Sequence, residues 1–296
     1  MADYALTCSS TADLPTDFVK KHNIAVLPYQ FFMDGEEYYD DQGTSISTHD
    51  FYEKMRAGSI PTTSIVNIDR YIAFFKPFLE AGQDILHLEF SSGLSGSFDN
   101  AVTAAEKLKK LYPQRKIFVV DSLSAARGYG LFVHLIVLKK EDGASLEEVY
   151  EYAENLKLKI IHWFAVDGLE YLRRGGRISR SSAFWGTMLN IKPVLAFNKE
   201  GKIIPVEKIR GRKKSLLAMV DQMESDLDAD HSEIVYIGHG DAYEDAVWVA
   251  EQIKSRFKTV KEIFIHYIGP VIGAHSGPST IAIHYVGKNR VDTAFH

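Results

Sequence analysis

Cysteine is nearly missing from this chain of 296 residues. Cys8 stands alone, so an internal disulfide or a cysteine-built zinc site is excluded, and a reducing cytosol suits the composition. Basic excess is missing too. Lys and Arg number 34 against 39 Asp and Glu, a formal net charge of −5, which argues against non-specific nucleic-acid binding. No run approaches the roughly 20 apolar residues of a membrane span; the best stretch, Leu131 to Leu138, is short and holds His134. Residues 1–7 carry Asp3 and show neither a basic n-region nor an apolar h-region. A cytoplasmic protein without membrane insertion is the expectation. The phosphate loop Gly-x-x-x-x-Gly-Lys-[Ser/Thr] is also absent, as are internal repeats and long linkers.

What the chain does have is 46% hydrophobic residues, enough for a real core. The first half alternates strand and helix. Strands are predicted at Tyr4–Ser9, Ile24–Met33, Asp84–Phe90 and Ile117–Val120. Asp34-Gly35 turns the second of these into a hairpin with Glu36–Asp40. Helices are predicted from Thr16, over Phe51–Ala57 and Asp69–Leu79, over Ser97–Leu111 and over Ala125–Lys139, and Ser145-Leu146-Glu147-Glu148 reads as a capping box. Such alternation predicts a parallel sheet in an N-terminal αβα domain, residues 1–160. After that the rhythm changes. A hairpin about Asn198–Gly201 and late strands at Glu233–Gly238, Ile263–Tyr267 and Thr280–Tyr285 predict a C-terminal α+β domain, 161–290, with a mixed or antiparallel sheet and a tail at 291–296. The fold class is therefore α/β with two domains.

The candidate site begins at Asp84–Gly96. An apolar run ends in Ser91-Ser92-Gly93-Leu94-Ser95-Gly96, and an amphipathic helix follows. Free backbone N–H groups and the positive end of a helix dipole meet hydroxyls there, which suits an anion. The loop contains no Lys, no Arg and no metal ligand. That favours a single carboxylate, held by hydroxyls and by the amides of Ser95 and Gly96, over a phosphate. Two more segments share small residues, hydroxyls and turn formers: Pro61-Thr62-Thr63-Ser64 and Gly269 to Pro278, which contains His275.

In their order along the chain these segments resemble the DegV family of fatty-acid-binding proteins. The similarity extends through Ser9-Ser10-Thr11-Ala12-Asp13-Leu14-Pro15, Val120-Asp121-Ser122-Leu123-Ser124-Ala125, Leu169 to Ile178 and Leu189 to Leu195. It implies a two-domain carrier that buries one long-chain fatty acid, of the palmitate, stearate or oleate class, between its domains. It places carboxylate binding on Thr63 and Ser95 with His275 beside them, and Thr62, Gly96 and Ser124 complete the residues assigned to the ligand. It implies a kinase subunit as partner, which phosphorylates the bound acid to an acyl phosphate. Among the basic segments, Arg177 and Arg210 are assigned to the surface that docks this kinase. A monomer with no cofactor, no metal and no catalysis of its own is expected. The chain departs from the family at Ser64-Ile65-Val66, where Ser-Gln-Pro is common, and this bears on loop shape and acyl-chain preference. Affinity would come from the tail: at ~0.8 kcal/mol per buried methylene, about 15 methylenes offer on the order of 12 kcal/mol before entropy is subtracted.

The alternative is a serine acyl hydrolase with Ser95 as nucleophile and His275 as base. Gly93-Leu94-Ser95-Gly96 lies between strand and helix, but the nucleophile elbow needs glycine where this chain has Ser97. The Gly238-His239-Gly240-Asp241 turn offers one His and one Asp, too few for a metal or phosphate site.

Overall fold

The computed structural model describes residues 4–178, 191–288 and 290. The first half runs β1 (Tyr4–Ser9), a 3-10 turn at Ser10–Ala12, α1 (Thr16–Lys21), β2 (Ala25–Leu27), β3 (Gln30–Met33), β4 (Glu36–Tyr39) and α2 (Thr48–Arg56). It continues with β5 (Thr62–Thr63), α3 (Ile68–Glu80), β6 (Asp84–Glu89), α4 (Ser97–Leu111), β7 (Ile117–Asp121), α5 (Ala126–Glu141) and α6 (Leu146–Leu156). The second half adds β8 (Ile160–Ala165), α7 (Glu170–Arg174), β9 (Ile191–Phe197), β10 (Ile203–Arg210), α8 (Arg212–Asp226) and β11 (Ile234–His239). It closes with α9 (Tyr243–Arg256), β12 (Glu262–Tyr267), α10 (Pro270–Ser276) and β13 (Ile281–Val286).

Three sheets result. A parallel sheet has the order β2-β1-β6-β7, and a mixed sheet has the order β10-β9-β8-β13-β11-β12, antiparallel except for β11 with β12. The α/β reading with a parallel and a mixed sheet is thus the observed architecture. The expected Asp34-Gly35 hairpin forms as β3 and β4, but with β5 it makes a separate third sheet, β4-β3-β5, which was not foreseen. The predicted strand Ile24–Met33 is in fact two strands in two sheets. Pro28 stands between them and has no N–H for a ladder, so the run cannot continue as one strand. The Gly269–Pro278 segment, expected as a loop, holds α10, with Pro270 in its first turn where a missing N–H costs nothing. The expected tail 291–296, and Leu189 and Asn190 of the quoted motifs, lie outside the described residues.

Helix α5 joins the two large sheets. It is buried along nearly its whole length, and one apolar cluster runs from β1 and β6 through α5 into β8, β9 and β13. Two glycines permit this closeness. A Cβ at Gly130 would lie 2.5 Å from the Ala12 carbonyl oxygen, and one at Gly128 would drive into the rings of His162 and His284. Two buried arginines bridge the same junction. Arg127 donates to the Asp13 carbonyl (2.5 Å) and lies over the Tyr236 ring. Arg290 donates to the carbonyls of Leu123 (2.6 Å), Lys157 (2.8 Å) and Ile160 (3.0 Å) and to Ser124 Oγ (3.0 Å).

The end of β6 is fixed by charge. Glu89 is fully buried, and its carboxylate accepts from Tyr29 Oη (2.8 Å), the Phe90 amide (2.7 Å), Tyr71 Oη (2.5 Å) and His87 Nε2 (2.8 Å). Burial alone would raise its pKa, but the His87 contact, then the Tyr71 and Phe90 bonds, hold it below the usual carboxylate range. A buried acid with four donors locks the chain just before the serine loop. Glu89→Gln should cost about 3 kcal/mol, because an amide cannot accept all four bonds. Urea denaturation would show this as a lower midpoint, and a midpoint equal to that of the parent protein would contradict the role. As a depressed acid, Glu89 should stabilise the fold above about pH 4.3, with the contribution lost as pH falls through its lower folded value.

Candidate functional site

Beyond the N-terminus of α5 a partly open cavity lies between the two large sheets. A helix as thick as α5 holds them apart, and where it stops only the small side chains of Ala125 and Ala126 face the gap. The walls come from both halves of the chain: Phe90 and Leu94 on one side, Phe164, Leu172, Phe197 and Val271 on the other. A cleft so apolar, with a few polar groups on its wall, suits a single small molecule.

Polar groups gather at one part of the wall. Thr63, Ser64 and Ile65 at the end of β5 meet Ser95, Arg177 and His275 there. Thr63 Oγ1 lies 2.7 Å from His275 Nε2. The serine loop is a tight turn in which the amides of Leu94 and Ser95 both donate to the Ser91 carbonyl (3.1 and 3.2 Å). The Ser95 amide is therefore committed inside the turn, a correction to its assignment as an anion donor. Ser95 Oγ accepts from the Ser97 amide (3.2 Å) and lies 3.1 Å from Ser97 Oγ, which in turn accepts from the Val66 amide (3.1 Å). This chain of bonds ties the threonine and serine segments together.

Burial, and after it the charge of Arg177, pushes the pKa of His275 down to about 4, so its ring is neutral at pH 7. Nδ1 is buried without a partner and faces Gly175 so closely that a Cβ there would collide with it. A proton on Nδ1 would be forced against the Gly175 backbone, so the proton sits on Nε2 and donates to Thr63 Oγ1. That frees the Thr63 hydroxyl proton to donate into the cavity. Arg177 donates from Nε to the Leu94 carbonyl (3.2 Å) and from Nη1 to the Gly175 carbonyl (2.5 Å), and desolvation lowers its pKa. The site therefore contains a cation, delivered to the serine loop from 83 residues away.

The fold brings together Thr63, Ser95 and His275 as the sequence suggested. It does not bring Thr62, Gly96 or Ser124 to the cavity wall. Thr62 is exposed, since neighbours on a strand face opposite ways. Gly96 is the N-cap of α4. Ser124 is fully buried, and its hydroxyl accepts from Arg290. Arg177, expected on an outer docking face, is half-buried in the wall, whereas Arg210 is exposed on the edge strand β10. Two wall residues went unnoticed in the sequence, His162 and His284. Each alternates with an apolar wall neighbour, Phe164 and Ala282, and that period of two was the available signal.

A Ser95–His275 dyad is not formed here: Ser95 Oγ is engaged with Ser97 and His275 with Thr63. The place of an orienting acid at Nδ1 is taken by Gly175. Asp241 pairs with Arg56 and His49, and Asp121 accepts from the amides of Ser92 and Leu123. Among the described residues no cluster of three or more His, Cys, Asp or Glu could hold a metal, and no helix is long and apolar enough to cross a membrane.

Two α/β layers thus share one helix and flank an apolar cavity with a hydroxyl-lined, cationic end. The family model described as "Uncharacterised protein, DegV family" matches residues 4–288, and the chain belongs to that family. A DegV domain-containing protein of Clostridium perfringens is 38% identical over 290 residues, 98% of this chain and 99% of the relative. Among solved structures, a fatty-acid-binding DegV family protein from Thermus thermophilus is 30% identical, with a TM-score of 0.86 over 97% of this chain and 100% of that one. DegV of Bacillus subtilis, described as a fatty acid binding protein, is 28% identical, with a TM-score of 0.82 over 97% and 100%.

His275 should remain neutral through the physiological range, with Nε2 protonated and a titration midpoint near pH 4. Its unfolded form protonates near 6.5, so its contribution to stability should fall as pH drops from about 6.5 to 4. Nitrogen NMR of the labelled ring reads both tautomer and midpoint; a midpoint near 6.5 would contradict the buried, neutral arrangement.

Proposed function

We propose that this chain is a non-catalytic carrier of one long-chain fatty acid. The acyl tail fills the cavity between the units 1–160 and 161–290, and the carboxylate lies against Thr63, Ser95 and Arg177. The observation that carries this reading is a mostly apolar cavity whose wall, among the described residues, gathers the Arg177 guanidinium and the hydroxyls of Thr63, Ser64 and Ser95 at a single place. The relatives support it: besides the Thermus and Bacillus proteins, a 26% identical structure from Eubacterium ventriosum is described as binding stearic acid.

His275 acts here by orienting Thr63 rather than by moving a proton. Arg177 supplies the countercharge that the serine loop lacks. Ile65 lines the cavity and is also exposed, so the polar end lies near the surface and the carboxyl group can be offered to a second protein. A kinase that phosphorylates the bound acid to an acyl phosphate is the partner we assign, and Arg210 belongs to the face that receives it. The carrier acts as a monomer, without cofactor.

Mass spectrometry of lipid extracted from the denatured protein tests the reading, and a long-chain fatty acid should be found. Absence of lipid together with no uptake of added palmitate or oleate would overturn it. Thr63→Val combined with Ser95→Ala should weaken binding about tenfold or more, since a hydrogen bond to a charged group contributes roughly 1.5–3 kcal/mol. Unchanged affinity in a folded double variant would move the carboxylate elsewhere.

A further inference from the structure

The start of α10 touches a second, polar cleft. Gly269 and Pro270 line it with Ser10, Asp13, Asp40 and His266, whereas Ile268, Val271, Ile272, His275 and Ser276 line the ligand cavity. One short segment is thus a wall of both. Two acids meet it at Gly269: Asp13, which closes the 3-10 turn after β1, and Asp40, which follows β4. They are 8% and 6% exposed. A Cβ on Gly269 would lie 2.5 Å from Asp13 Oδ1 and 3.3 Å from Asp40 Oδ1, so the two carboxyl groups sit inside the roughly 6 Å over which like charges oppose each other's ionisation. Both Asp13 oxygens and Asp40 Oδ2 are buried without a hydrogen-bond partner. The main chain of Asp13 is fixed, because its amide donates to the Ser10 carbonyl (2.9 Å) and its carbonyl accepts from Arg127 (2.5 Å).

The surroundings do not neutralise this pair. No Lys or Arg is among the residues that line the cleft. Arg127, from α5, attracts Asp13, but its bond goes to the main-chain carbonyl and its guanidinium lies over Tyr236. His266 on β12 is pushed below its usual value by burial and then by Arg127, which leaves it neutral at pH 7. Asp41 adds negative charge beside Asp40. Tyr52 on α2 and Tyr267 on β12 are neutral phenols, which donate to the Ile268 carbonyl (2.9 Å) and to Asp241 (3.2 Å). The Ser10 hydroxyl favours the charge on Asp40, and the Gly269 amide leans toward Asp13 without a well-aligned bond. Burial still dominates. It lifts Asp40 to about 7, and burial together with Asp40 lifts Asp13 well above the usual carboxylate range.

We propose that Asp13 and Asp40 form a proton-held latch at the foot of α10, which seats Gly269 and closes the cavity wall when protonated and loosens the segment carrying His275 when ionised. Neither acid lines the ligand cavity, so both are positioning residues that act through α10. The latch stands on the geometry of the joint, and its effect on a fatty acid rests on the carrier reading above. In an opened, hydrated joint each acid would ionise near 3.9. The closed joint therefore binds more protons than the opened one between about pH 4 and 7, and rising pH through that window favours opening.

The test uses the whole protein, stripped of lipid and reloaded with stearate. Stearate should dissociate at least about tenfold faster at pH 8 than at pH 5.5, and hydrogen exchange of the α10 amides, corrected for its intrinsic pH dependence, should rise in parallel. Asp40→Asn should flatten both profiles, since an amide stays neutral, and Asp13→Asn gives the same test from the other partner. The bound carboxyl group and His275 are common to all three proteins, so the difference in slope belongs to the pair. Equal pH slopes in the parent and the folded variants would overturn the latch and leave the carrier reading intact. A parent protein that takes up no stearate, yet shows the pH-dependent exchange that the variants lose, would support the latch and overturn the carrier reading.

Discussion

One helix shared by two sheets is the constraint on which everything else depends. α5 presents apolar surface on nearly every side, so it must be buried from both directions, by the parallel sheet on one face and the mixed sheet on the other. Its glycines at 128 and 130 let backbone and side chains of both layers approach. The separation that α5 imposes does not vanish where α5 ends. At Ala125 and Ala126 the sheets are still held apart, and the space becomes a cavity instead of a core. Packing that satisfies the helix therefore creates the room for a ligand.

The charges inside this frame are few, and each has work of its own. Glu89 anchors the end of β6 with four donors, so the serine loop leaves from a fixed point. Arg127 and Arg290 spend their donors largely on main-chain carbonyls and thereby connect segments distant in sequence. Arg177 is the exception, because it is half-buried, lines the cavity and carries its charge beside neutral groups. Around it burial keeps the wall histidines neutral, so among the described residues the wall holds one cation and several neutral dipoles. An anionic head group and a long uncharged body match that distribution.

Much of the fold was legible. The capping box at Ser145 and Glu148 forms as read, Ser47 caps α2, and the Asn198–Gly201 turn joins β9 to β10. These features are local, so a few adjacent residues decide them. The errors lie where partners are distant. The Asp34-Gly35 hairpin forms as read, but Ile24–Met33 looked like one strand because apolarity does not reveal that its second part pairs with β5 and leaves the parallel sheet. The family resemblance assigned Ser124 to the ligand, yet Arg290, 166 residues later, claims that hydroxyl.

The sequence alone determined the alternation of strands and helices and the hydroxyl-rich ends of those strands, since spacing and local turn chemistry are written in neighbouring residues; the trio Thr63, Ser95 and His275 was named by the family resemblance. Only the tertiary structure decided which charge meets that trio. The serine loop has no cation of its own, and Arg177, 83 residues away in the sequence, reaches it through the Leu94 carbonyl. It likewise decided that His162 and His284 face one another, because a cross-strand register between β8 and β13 joins residues 122 positions apart. Such pairings follow from how two sheets close on one helix, and no local pattern encodes that closure.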